Sequence, residues 1–138
     1  MSRQELNKYA ISLAKKRFQD QGFQIEDKST AQIDFNAVSH GVIMKIKVRS
    51  ISKFGSYVFI PKRNFNIEDP NLFMAILYIP QDSSEEIMYL VPATDWGKDI
   101  YPFKGKDYGK PGQVSEPEWG ISFSKKAKDA MDSYQFDL

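Results

Sequence analysis

One carboxylate and three cations stand at alternate positions in the stretch QIDFNAVSHGVIMKIKVRS: Asp34, then Lys45, Lys47 and Arg49. Successive side chains of a strand point to opposite faces. Gln32, Asp34 and Asn36 therefore share a face opposite Ile33, Phe35 and Ala37. Lys45, Lys47 and Arg49 likewise alternate with Met44, Ile46 and Val48. A carboxylate facing three cations across a short hairpin makes either a solvated sheet face or a site that handles phosphate. The simplest structural role for Asp34 is an ion pair with Lys47 or Lys45 across the hairpin. Pairing 34 with 47, or 34 with 45, keeps the polar faces together. A slip of one residue would set Asp34 among Met44, Ile46 and Val48.

Charge distribution extends the phosphate reading. The net charge is only +1, yet no Asp or Glu occurs between Phe35 and Ile67, where Lys45, Lys47, Arg49, Lys53, Lys62 and Arg63 all fall. The acids gather in Glu68-Asp69, from Asp82 to Glu86, and toward the C-terminus. A locally basic segment in a neutral chain is a polyanion footprint, which makes DNA or RNA the expected partner. Cations on one side of a strand repeat every ~6–7 Å, close to the phosphate spacing of a single strand. If that face is solvated, reversing Lys47 and Arg49 to glutamate should abolish binding and leave stability nearly unchanged.

Other chemistries are poorly supplied. With no cysteine and one histidine, the chain lacks disulfides, thiol nucleophiles and a zinc cluster. Any metal would be a hard cation held by carboxylates. His40 reads as a turn residue. Ser50 and Lys53 have no accompanying oxyanion-hole motif, and the glycines of GKDYGKPG match no phosphate-loop spacing. Tyr57, Phe59, Phe73 and Tyr89 sit in apolar runs and read as core, as do Trp96 and Trp119.

The elements that must position these residues follow from periodicity. The 138 residues, 41% hydrophobic, are read as one globular domain. Residues 3–21 predict an amphipathic helix with Leu6, Tyr9, Ala10, Leu13, Ala14 and Phe18 on one face, a Ser2/Glu5 capping box, and Gly22 as its stop. Strands are expected at Phe23–Asp27, in the hairpin, at Ser56–Ile60, at Leu72–Ile79 and at Ile87–Val91, the last two antiparallel neighbours. The almost wholly apolar LFMAILYI marks a central strand covered on both faces. A turn or short helix is expected within Asn64–Pro70 and another short helix from Thr94, anchored by Trp96. An extended loop should run from Ile100 to Pro117. Glu118–Phe123 reads as the last strand, and Ser124 caps a closing helix with Ala127, Ala130, Met131 and Tyr134 inward. The fold class is α/β, a single mixed sheet flanked by helices at both chain ends. No apolar run has membrane-spanning length, and the N-terminus lacks a signal-peptide core; a cytoplasmic location and no membrane partner are expected.

The stretches QGFQIE, AQIDFNAVSHGVIMKIKVRS, NLFMAILYI, MYLVPATDW and EPEWGISFS resemble, in order and pattern, the restriction-endonuclease-like or PD-(D/E)XK nuclease superfamily. They are most similar to small bacterial domains of unknown function related to it. The resemblance covers most of the chain and implies a restriction-endonuclease-like core. In that family two carboxylates hold a divalent cation against the scissile phosphate, and a lysine two residues on activates water. Asp34 matches the first carboxylate, Lys47 the second acidic position and Arg49 the lysine position. Glu5 matches a first-helix glutamate that joins the metal site in some members, though a capping role already accounts for it.

Lys47 and Arg49 depart from the pattern in chemical type. A charged lysine ligates no cation, and a protonated guanidinium is no base. The expectation is a degenerate, inactive site without cofactor, on a domain that keeps a basic face for nucleic acid. An active Mg²⁺-dependent nuclease, using Asp34 with a recruited carboxylate, is the first alternative. A non-catalytic protein-interaction module, with the cations serving solubility, is the second.

Overall fold

Ser2 opens the first element. Its hydroxyl accepts the Glu5 N–H at 3.1 Å and the Glu5 carboxylate accepts the Ser2 N–H at 3.4 Å, the reciprocal capping box that starts α1, Arg3–Asp20. The helix stops where Gly22 takes a φ of +91°, with Gly22 N–H bonded to Gln19 O and Phe23 N–H to Phe18 O. In the computed structural model, residues 1–82, 84–107 and 115–136 are described.

Beyond α1 the chain forms β1 (Gln24–Glu26), β2 (Phe35–Ser39), β3 (Val42–Ile51), β4 (Ser56–Pro61), β5 (Leu72–Tyr78), β6 (Ile87–Pro92), β7 (Lys104–Lys106), β8 (Glu118–Phe123) and α2 (Lys125–Met131). Short 3-10 turns occupy Lys62–Asn64, Ala93–Gly97 and Asp132–Tyr134. A five-stranded mixed sheet has the order β1-β2-β3-β5-β6, parallel only between β3 and β5. An antiparallel three-stranded sheet has the order β4-β8-β7.

The expected single sheet is thus two sheets, and burial supplies the reason. On one face of the large sheet, Ala10, Ala14 and Phe18 of α1 pack on Phe35, Ala37, Ile46, Val48, Ala75, Leu77 and Met88. The opposite face presents Met74, Ile76, Tyr89 and Val91, which need their own cover. Val58, Ile60, Ile121 and Phe123 of the second sheet provide it, with Trp96 and Phe103. Strand β5 is apolar on both faces because both faces are covered.

Most expected elements occur within a residue or two of their anticipated bounds. Inside the stretch read as a loop, Lys104–Lys106 pairs with β8, because the edge of that strand would otherwise leave its backbone groups unpaired; Gly109 and Gly112 of that stretch lie outside the described residues. The helix expected from Thr94 is the 3-10 turn Ala93–Gly97, with Trp96 buried. After α2, Gln135 bridges Tyr89 and Phe136 N–H bonds to Met88 O. The segment covers the outer edge of β6, and the Phe136 ring meets that of Phe18 at 4.7 Å. Among the described residues no helix is long and apolar enough to cross a membrane.

Candidate functional site

The β2–β3 hairpin closes through the two residues His40 and Gly41, with φ of 52° and 78°. Both lie in the left-handed region, which suits the twist of a two-residue hairpin turn. The register pairs Phe35 with Ile46 and Asn36 with Lys45, so Asp34, just before β2, stands opposite Lys47. The polar faces coincide as the alternation required. Asp34 N–H donates to Ile46 O at 2.7 Å. One carboxylate oxygen accepts the Val48 N–H at 2.7 Å, and the other lies 3.6 Å from Lys47 Nζ.

This pair is not on a solvated face. The side chains of Lys47 and Asp34 are only 13% and 16% exposed. The cause is the covering second layer: β4 follows β3 directly, and Arg49 reaches across to it. Arg49 Nε donates to Phe59 O and Nη1 to Val48 O, each at 3.1 Å. Burial pushes the Arg49 guanidinium below its ordinary pKa, against the opposing pull of Asp34. Reversing these charges would therefore disrupt packing, contrary to the expectation for an open face.

The remaining members of the basic segment are neutralised from outside it. Lys45 is hydrogen-bonded to Asp69. Burial raises the Asp69 carboxyl, but hydrogen bonds from Lys45 and the Asn71 N–H hold it below its usual value. Lys62 pairs with Asp107 at 2.8 Å and lies 4.1 Å over the Trp119 ring. Arg63 pairs with Glu116 at 2.9 Å. A segment free of acids in sequence acquires them in space, from positions 34, 69, 107 and 116. Of the six cations, only Arg49 and Lys53 have no ion pair among the described residues, and Lys53 is exposed.

Glu5 stays in its capping box, where hydrogen bonds from Ser2 lower its pKa. Among the described residues no group of three or more Asp, Glu or His side chains converges in a manner that could hold a metal. Asn36, two residues on, is the one buried polar side chain among the described residues; its amide donates to Glu26 at 3.3 Å.

A feature missed in the sequence lies where α1, β3 and β4 meet. Arg3, Gln4 and Asn7 line one wall of a groove of about 410 Å³; Arg49, Ser50, Tyr57, Val58 and Phe59 line the rest. Tyr57 and Phe59 are not core, as their apolar run suggested. Val58 and Ile60 point inward, so Tyr57 and Phe59 face out, and Phe59 is 49% exposed. Their rings lie 5.8 Å apart and nearly parallel, at 14°. The Tyr57 hydroxyl donates to Glu118, and Lys106 Nζ sits 4.5 Å above the ring. Beneath it is Gly120, where a Cβ would stand 2.1 Å from the Tyr57 oxygen. The signal was present as the alternation of SYVFI, hidden because both faces of that strand carry hydrophobic residues.

Comparison with protein-family models found no match, and comparison with curated proteins found none either.

Proposed function

We propose that this chain is a restriction-endonuclease-like domain without catalytic activity that binds DNA or RNA weakly. The observation that carries the reading is the engagement of Asp34. Where the resemblance places a metal-binding carboxylate, both oxygens are taken, one by a backbone N–H and one by the ammonium of Lys47. A lysine there substitutes an internal cation for an external one. The antiparallel run β1-β2-β3 with β5 parallel beside β3, under one long helix, supports the nuclease-like ancestry. The connection from β3 to β5 departs from a helical crossover, since residues 52–71 hold β4 and a 3-10 turn.

Nucleic-acid binding rests on fewer cations than the sequence offered, because four of the six are spoken for. With Arg49 and Lys53 left, the salt dependence of binding should correspond to about two phosphate contacts at ~0.7–0.9 per contact. Purified protein incubated with Mg²⁺ should leave single- and double-stranded DNA and RNA intact. Cleavage that disappears in Asp34→Ala would overturn the reading. In the double substitution Lys47→Glu with Arg49→Lys, two carboxylates face each other, and Mg²⁺ should raise the melting temperature of that variant but not of the wild type.

A further inference from the structure

We infer that the groove between α1 and β4 is a subsite for single-stranded nucleic acid, stacking one base on Phe59 and holding its phosphate between Arg3 and Arg49. The inference deepens the nucleic-acid reading above and rests on it, but it places contact away from the Asp34–Lys47 pair. Three independent properties converge. The first is an aromatic floor: Phe59 is 49% exposed and lies alongside Tyr57 in nearly parallel orientation. Exposed aromatic surface on a strand is costly in water and is the platform on which unpaired bases stack.

The second is how that floor is kept flat. Gly120, on the central strand of the small sheet, leaves room for the Tyr57 ring to lie against the backbone. The hydrogen bond to Glu118 and the Lys106 ammonium fix the ring from the other sides. Tyr57 thereby supports Phe59 rather than competing for the ligand.

The third is charge. Arg49 is anchored by two main-chain carbonyls, which consume donors but not its charge. Neither Arg49 nor Arg3 has an ion pair among the described residues. A guanidinium fixed by carbonyls and facing a groove is suited to bidentate phosphate binding. The volume of about 410 Å³ lies in the range of small-ligand sites and suits one nucleotide. A duplex buries its base faces and cannot offer one to Phe59, so the site selects single strands.

Fluorescence anisotropy with labelled oligo-dT, oligo-rU and a DNA duplex of equal length tests this at low salt. The single strands should bind more tightly than the duplex. Phe59→Ala should weaken them by roughly tenfold or more, given the usual strength of base–aromatic stacking, while Phe59→Trp retains binding. Arg3→Gln should weaken binding several-fold and lower its salt dependence. Because Phe59 and Arg3 are exposed, the variants should melt like the wild type. Binding unchanged in Phe59→Ala, or a preference for duplex, would overturn the subsite and leave the broader reading standing. Failure of the wild type to bind any of the three probes would overturn both.

Discussion

Asp34 and Lys47 show how far environment decides what an ion pair is worth. Both side chains are less than a fifth exposed, and Asp34 also satisfies the Val48 N–H. Asp34→Ala leaves a nearly buried ammonium and an orphaned backbone donor, and should cost about 2–3 kcal/mol in denaturant unfolding. Asp20, paired with Lys16 at the surface with both side chains more than half exposed, provides the contrast: Asp20→Ala should change stability by no more than about 0.5 kcal/mol. Tyrosines govern the alkaline limit. Burial raises Tyr89 to about 12, and burial with the Asp95 hydrogen bond raises Tyr134 to about 12, from 10.0. The folded state keeps protons that the unfolded chain releases, so stability should fall as pH rises from about 10 to about 12. The Tyr89 hydroxyl has no hydrogen-bond partner among the described residues, so Tyr89→Phe should be neutral or stabilising by up to about 1 kcal/mol and should make the alkaline loss shallower. At this scale alternation put Asp34 on the face of Lys45 and Lys47 and left its partner open between them; the strand register selects Lys47. The sequence could not disclose that Lys45, Lys62 and Arg63 would meet Asp69, Asp107 and Glu116, because such long-range pairs depend on how the layers stack.

Strand β8 carries the element-scale consequence. Gly120 has no backbone need for glycine; its neighbour Tyr57 excludes a side chain. Gly120→Ala should displace the Tyr57 ring, break its hydrogen bond to Glu118 and destabilise the protein by about 1–3 kcal/mol. Combined with Tyr57→Ser, which removes the obstructing ring, the same alanine should cost much less. A double-mutant cycle by thermal unfolding would reveal the coupling. Elements with a strong local signature were legible beforehand: α1 through its capping box, β5 through its unbroken apolar run, the hairpin through its two alternating strands. The short β7 was not, since KGK has neither apolar character nor length and exists only because β8 lies beside it. Tyr57 and Phe59 misled for a related reason. Period two shows that a strand has two faces but not which one is covered when both are hydrophobic.

For the whole molecule, the division into two sheets follows from a shortage of helix. One long helix covers one face of the five-stranded sheet, and the apolar residues on the other face recruit β4, β7 and β8. Composition and order predicted an α/β chain with a mixed sheet, but wrongly gathered all strands into one sheet, because layer number depends on total apolar area rather than on any local pattern. The C-terminal segment completes the arrangement by covering β6. Deleting residues 135–138 should lower the melting temperature and shift gel filtration toward larger species, since β6 would become an open edge. The contact between Phe18 and Phe136 also has a bearing on biosynthesis. During synthesis Phe18 is made more than a hundred residues before the Phe136 ring that packs on it. Until Phe136 emerges, a nascent chain lacks one of the rings that cover Phe18 and exposes apolar surface of the kind that holding chaperones recognise, so the emergence of Phe136 becomes the step that releases them.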